Sequence, residues 1–409
     1  MTDKNAAVLI LGAGHAGGTV AALLRQYEFA GSITLVGDEP LAPYHRPPLS
    51  KSALRDGPTF VPMPLKPAEF YATSMIDLVL GCQVEALDRD AKSVRLSGRD
   101  AIRYDHLIIA LGSRPIHLSA PGADLAGVVT LRTATDAERL HSLLVPGKHL
   151  AIVGGGYVGL EVAASARALG VTVTVIERES RLLARVASPP LSSFFHEHHS
   201  AHGVRFELAS TVTGFDGQSG HLSGIRLDDG RVIACDIALV GVGAVPNDEI
   251  ARRSGLDTEN GILVDHLSRT SDPAIFAIGD VARRPVPNHA GSVRLESVPN
   301  ALEQAKQAAS VIAGRSPPDL EVPWQWSDQY DVKLQIAGMA SGSCRIVLRG
   351  SPSSAGFSVL HLNGDRLNCI EAVNSPKDFI AGKQLIADGS RLDGHLLSDP
   401  AIALKEAIV

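Results

Sequence analysis

Val8-Leu9-Ile10-Leu11-Gly12-Ala13-Gly14-His15-Ala16-Gly17 and Leu150-Ala151-Ile152-Val153-Gly154-Gly155-Gly156-Tyr157-Val158-Gly159 carry one pattern twice. Each is an apolar run that enters G-x-G-x-x-G and then a helical pattern. The first glycine of each (Gly12, Gly154) suits a tight turn. The second (Gly14, Gly156) lets backbone approach a pyrophosphate, and the third (Gly17, Gly159) lets helix pack on strand. The pyrophosphate then rests on the positive end of the helix. A second strand follows each fingerprint and ends in an acid. Asp38 comes after Ile33-Thr34-Leu35-Val36-Gly37, and Glu177 after Val171-Thr172-Val173-Thr174-Val175-Ile176. A carboxylate at that place accepts hydrogen bonds from a ribose diol. One such motif is weak evidence; two with their acids predict two dinucleotide sites.

A chain with two dinucleotide sites most simply passes hydride from a nicotinamide to a flavin. At 409 residues it is too long for one core and divides into two or three domains. Its 39 glycines suit an α/β fold with many tight strand-to-helix turns. A net charge of −6 argues against nucleic acid as the main partner. Met1 to Asn5 carries no basic segment, and no apolar run is long enough to span a bilayer, which points to the cytoplasm. Cys82, Cys235, Cys344 and Cys369 form no C-x-x-C pair. Electrons must therefore leave the flavin directly, without a local cysteine pair.

The expected fold class is α/β: two Rossmann-like dinucleotide-binding domains, one inserted in the other, plus a C-terminal α+β domain. The first strand–helix–strand unit runs from about Val8 to Asp38, and a proline-rich loop, Pro40 to Pro48, follows. Asp105 to Pro115 reads as a buried strand with a glycine exit and a proline stop. The second unit occupies about 148–177, and Ile237 to Asn247 is another strand with a glycine exit. Past Pro317-Pro318 the texture changes. Lys333 to Ala337 and Phe357 to Leu362 alternate as strands of an antiparallel sheet do. The expected limits are 1–115 and 245–320 for the first dinucleotide-binding domain, 116–244 for the one inserted in it and 321–409 for the C-terminal domain.

Several residues stand out. Asp280 ends the apolar strand of Thr270 to Asp280, where a doubly wound sheet opens its ligand crevice; the alternative is a turn or helix-cap aspartate. Val298-Pro299-Asn300 starts a helix, with proline in the first turn. Glu177 favours a 2′-hydroxyl over a 2′-phosphate, although Arg178 and Arg181 nearby suit NADPH. His196, His198, His199 and His202 form a cluster in which His198 and His202 lie one helical turn apart, as metal ligands can. Phe194 and Phe195 argue instead for an amphipathic surface helix, and no metal is expected.

These residues resemble the ferredoxin reductase family that serves bacterial cytochrome P-450 and aromatic-ring dioxygenase systems, the putidaredoxin reductase family. The resemblance covers nearly the whole chain. It rests on both fingerprints, Pro43-Tyr44-His45-Arg46-Pro47-Pro48-Leu49-Ser50-Lys51, Thr270 to Asp280, Glu296 to Ala305, and Trp324-Gln325-Trp326-Ser327-Asp328-Gln329. It implies FAD in the first domain, NADH in the second and a [2Fe-2S] ferredoxin as acceptor. It implies FAD contacts at Ala16, Asp38, Lys51, Val84, Arg132, Asp280 and Val298. His15 departs from the family, where relatives often carry an apolar residue.

The resemblance further places a Lys51–Glu161 pair near flavin N5, where hydride arrives. Hydride transfer needs no acid, so the pair would orient and tune. The alternatives are a solvated loop lysine and a first-turn acid on the helix dipole. It aims the helix at Val298 toward the flavin's pyrimidine edge, where its dipole would stabilise negative charge. Tyr157 either stacks over the flavin or simply packs. Trp326 would lie near the flavin's exposed edge, and Lys306 either docks an acidic ferredoxin or is a solvated helix lysine. Rival readings on the same fold are an NADH oxidase or quinone reductase, and a redox-sensing protein like apoptosis-inducing factor.

Overall fold

The computed structural model describes residues 6–57, 60–287, 289, 291–340 and 344–409. Residues 1–5, read above for targeting signals, lie outside the described residues. Two compact units are formed: Met1–His45, Pro62–Arg114 and Val245–Gln325 in one, and Arg46–Val61, Pro115–Ala244 and Trp326–Val409 in the other. Among the described residues no helix is long and apolar enough to cross a membrane.

The first unit is built on a parallel sheet in the order Ile275–Ala277, His106–Ile109, Ala7–Leu11, Ser32–Val36, Ile76–Val79. Side chains of a strand alternate between its two faces. Val8 and Ile10 pack with Val20 and Leu24 of the His15–Gln26 helix and with Ala301, Ala305 and Ala308 of the Val298–Ile312 helix. Leu9 and Leu11 face the other way, onto Val94 and Leu96 of a small antiparallel sheet. Both faces are covered, which is why the strand reads as an unbroken apolar run. Truncating Leu9 or Ile10 to alanine costs about 2–5 kcal/mol. The fingerprint strand is central, so the order reverses beside it and the sheet opens a crevice at its carboxyl ends.

The second unit repeats the plan. Its parallel sheet runs Val204–Glu207, Thr172–Ile176, His149–Val153, Ile237–Val240, Val128–Val129. Phe215 and Ile225, on paired antiparallel strands, cover Ala151, Val153 and Ala238. The C-terminal sheet has the order Trp324–Gln329, Val332–Gly338, Arg366–Val373, Phe357–Asn363, Arg345–Gly350, with antiparallel pairing on both sides of Arg366–Val373.

Alternation in a strand ordinarily marks one wet face. Phe357 to Leu362 has none, because every one of these residues is buried. Ser358 Oγ donates to Asp378 Oδ2 at 3.1 Å on the Pro376–Asp388 helix. On the opposite face Phe357 meets Phe194 of the Pro189–Ala201 helix edge-on at 5.1 Å. That helix carries the histidine cluster. It is amphipathic, with Leu191, Phe195 and His199 buried and Ser193, Glu197 and Ser200 exposed.

Candidate functional site

Gly12 adopts φ +110°, and a Cβ there would lie 2.2 Å from Ala110 O. No other residue fits that turn. A Cβ on Gly17 would lie 1.9 Å from Gly12 O, so the His15–Gln26 helix sits hard against its strand. Gly14 caps this helix without a side-chain bond, and its first turn holds no acid. A helix start with no side-chain cap and no acid suits an anion. The second fingerprint has the same form: Gly154 at φ +111°, Gly159 tight on Gly154 O, and Gly156 as the cap.

Around the first fingerprint, Ala16 is buried, Val84 is half-buried and Asp38 is exposed two residues past its strand. Asp280 lies in the short helical turn Gly279–Val281, half-buried, and accepts a hydrogen bond from Ser113 Oγ at 3.2 Å. The cap position of that turn is Ile278, so Asp280 is a turn aspartate and not a helix cap. Ser297 Oγ caps the Val298–Ile312 helix by accepting from Asn300 N at 3.3 Å. In its first two turns Asn300 Oδ1 and Gln304 Nε2 are buried with no hydrogen-bond partner among the described residues. Uncapped helix amides, acids at the strand ends and two orphaned polar atoms fit a polar dinucleotide such as FAD. Lys306 is the exposed residue of this helix and lies 3.6 Å from Glu321.

At the second fingerprint, Glu177 uses both oxygens on backbone. Oε2 accepts from Gly155 N at 2.7 Å and Oε1 from Glu179 N at 2.9 Å. The acid thus shapes the glycine turn, and a carboxylate has further lone pairs for a ribose hydroxyl. Arg181 is committed to its own loop, donating to Ala184 O and Ala187 O at 2.8 Å each. Arg178 is exposed and pairs with Glu179 at 3.2 Å. Arg181 is therefore engaged elsewhere, while Arg178 stays at the surface in a weak exposed pair. Tyr157 is half-buried, and its hydroxyl reaches Val186 O at 3.4 Å.

Lys51 and Glu161 meet. Lys51 Nζ lies 2.7 Å from Glu161 Oε2 and also donates to Pro47 O at 3.2 Å. Glu161 sits in the second turn of the Tyr157–Ala168 helix, whose first turn holds no acid, so it is not a dipole-capping residue. Its side chain is 8% exposed, and Lys51 is 19% exposed. Two serines complete the carboxylate: Ser50 Oγ donates to Oε2 at 2.5 Å and Ser327 Oγ to Oε1 at 2.6 Å. Ser165 Oγ donates to Ser50 O at 2.8 Å, which fixes the loop to the helix. A buried charge needs such company. Sequence reasoning passed over Ser50, Ser165 and Ser327. The signal for two of them lay in the Arg46–Lys51 and Trp324–Gln329 blocks that carry the resemblance. Half-buried Trp326 precedes Ser327, and so lies on the other face of their strand. Arg132 O accepts from Arg46 Nη1 at 2.7 Å, which ties the same loop to the start of the Ala134–Leu143 helix.

The histidine cluster is used in packing. His202 stacks on Tyr330 at 3.8 Å between ring centroids, and buried His199 bonds Gln329 Oε1 through Nε2 at 2.7 Å. Among the described residues no group of three or more His, Cys, Asp or Glu is placed to hold a metal. None of the four cysteines is in a disulfide.

Residues 6–305 match the family described as pyridine nucleotide-disulphide oxidoreductase, and 324–408 match the reductase C-terminal family. The chain belongs to the pyridine nucleotide-disulphide oxidoreductase family. It is 49% identical to the probable ferredoxin reductase CtmF of Castellaniella defragrans, over 98% of each chain. It is 44% identical to the rhodocoxin reductase of Rhodococcus erythropolis, over 98% of this chain and 94% of that one. A crystal structure of the covalent putidaredoxin reductase–putidaredoxin complex superposes with a TM-score of 0.96 at 39% identity, covering 99% of this chain and 98% of that one.

Proposed function

We propose that this chain is an NADH-dependent ferredoxin reductase, which holds FAD and NADH and hands single electrons to a [2Fe-2S] ferredoxin. The pairing of two dinucleotide cradles in one chain carries the reading. Ferredoxin reductases that align over nearly its whole length supply the acceptor. FAD, when bound, takes an electron pair and releases electrons one at a time, which joins a nicotinamide to an iron–sulfur cluster.

The chain's own residues prepare that chemistry. In the FAD domain, 1–115 with 245–320, the first-turn amides after Gly14 hold a pyrophosphate, while Ala16, Asp38, Val84, Asp280 and Val298 seat the rest, joined by Lys51 and Arg132. The NADH domain, 116–244, offers Gly154, Gly156, Tyr157, Gly159 and Glu177. Lys51 and Glu161 orient and tune the hydride side without donating a proton. Lys306 and Trp326 serve the ferredoxin side, and the C-terminal domain, 321–409, brings Trp326. The terminal acceptor is a cytochrome P-450 or a ring-hydroxylating oxygenase. The cytoplasm, where NADH and reduced cysteines are found, is the proposed location.

A steady-state assay with NADH, a purified [2Fe-2S] ferredoxin and cytochrome c tests this. Cytochrome c reduction should require the ferredoxin. NADH oxidation that runs as fast on oxygen or a quinone would refute it.

A further inference from the structure

We propose that Ser327, Gln329 and His199 form a positioning chain that turns the Ser327 hydroxyl proton onto Glu161 and so fixes the Lys51–Glu161 pair. It rests on the reading that this pair lies beside the flavin, and adds three residues to it.

The chain has one polarity. His199 is fully buried, with Nε2 on Gln329 Oε1 and Nδ1 without a partner among the described residues. A buried N–H without an acceptor costs more than a buried lone pair without a donor. The proton therefore sits on Nε2 and donates to Gln329 Oε1. Burial lowers His199 to about 4, so the ring is neutral at neutral pH. The Gln329 oxygen is thereby assigned to His199, and its amide nitrogen donates to Ser327 Oγ at 3.1 Å. With that lone pair taken, the Ser327 proton points to Glu161 Oε1 at 2.6 Å. Oε1 and Oε2 then both face donors, and the carboxylate has no freedom to rotate away from Lys51. Ser327 and Gln329 share one face of their strand, which is why one serves the other.

Gln329→Glu tests the polarity with almost no change in shape. A second carboxylate would draw the Ser327 proton to itself and leave Glu161 Oε1 without a donor. Gln329→Met removes the amide that orients the Ser327 hydroxyl without supplying a competing acceptor. Each variant, with Ser327→Ala and Lys51→Ala, is purified with FAD. The saturating rate of flavin reduction by NADH, the NADH Kd and the flavin midpoint potential are then measured. Ser327→Ala and Gln329→Glu should slow reduction about tenfold, the loss of one charge-assisted hydrogen bond. Their potentials should move negative as Lys51 loses its fixed place, with NADH Kd within about twofold. Gln329→Met should slow reduction about threefold, less than Gln329→Glu, with a smaller negative shift in potential, because the Ser327 hydroxyl loses the donor that orients it but meets no competing acceptor. If Gln329→Met and Gln329→Glu change rate and potential equally, the polarity is wrong and the proposal falls. If Lys51→Ala shifts rate and potential but neither Ser327→Ala nor Gln329→Glu does, the pair acts without the chain. If Lys51→Ala shifts neither, the reading of the pair falls and takes the proposal with it.

Discussion

Replacing Glu161 with glutamine tests the centre of the site with one atom. The carboxylate faces three donors: Lys51 at 2.7 Å, Ser50 at 2.5 Å and Ser327 at 2.6 Å. An amide has one acceptor oxygen and one donor nitrogen, so it cannot serve both sides. If its oxygen faces Lys51 and Ser50, its nitrogen meets Ser327, which already accepts from Gln329 at 3.1 Å. The Ser327 proton then has no acceptor. If it turns the other way, nitrogen faces an ammonium. Breaking a buried ion pair costs about 3–5 kcal/mol. Lys51 keeps Pro47 O and is 19% exposed, so the low end applies, about 3 kcal/mol. If about 2 kcal/mol of this reappears in the hydride barrier, Glu161→Gln slows flavin reduction about 30-fold at saturating NADH. Anaerobic stopped-flow reads that rate, and chemical denaturation reads the stability. A folded variant whose flavin is reduced at wild-type speed would refute the reasoning.

Further outcomes are expected. Glu177→Ala should weaken NADH about 10–100-fold and NADPH less, since a ribose acceptor and the Gly155 contact go together; a wild type faster with NADPH would contradict this. Lys306→Glu should raise KM for ferredoxin and flatten its salt dependence, while flavin reduction and ferricyanide turnover stay unchanged. Its pairing with Glu321 at 3.6 Å is exposed, so stability should move by less than about 1 kcal/mol. His199, lowered by burial to about 4, is neutral when folded and binds a proton more readily when unfolded. Stability should therefore fall as pH drops from about 6.5 to 4, by about 3 kcal/mol in all. Melting temperature against pH should be flatter in His199→Gln, and an identical acid limb in both proteins would contradict this.

The parts of this fold that were legible in the sequence are those in which neighbours in the chain are neighbours in space. A fingerprint, its strand and its helix follow one another without a break, from Ala7 to Gln26 in the first case, and steric demands on Gly12 and Gly17 are local. The acids at strand ends were legible for the same reason. The surroundings of Glu161 were not, because Ser50, Glu161 and Ser327 come from three distant segments that only tertiary packing joins. Spacing alone did not decide His198 and His202, where one helical turn suits a metal as well as ring packing; His202 stacks on Tyr330 and lies beside the His198 ring. Glu177 was read for its ribose role alone; its grip on the glycine turn needed coordinates. At Phe357 to Leu362 the pattern announced a strand but not the helices that cover both of its faces.

The central claim is that one electron pair enters through NADH and leaves as two single electrons to ferredoxin. Anaerobic stopped-flow mixing of the FAD-loaded protein with one equivalent of NADH, then with excess oxidised [2Fe-2S] ferredoxin, counts them. The account predicts two ferredoxins reduced per NADH, with the flavin returned to its oxidised spectrum. A flavin that stays reduced in the presence of ferredoxin, yet is discharged by oxygen or a quinone, would contradict it.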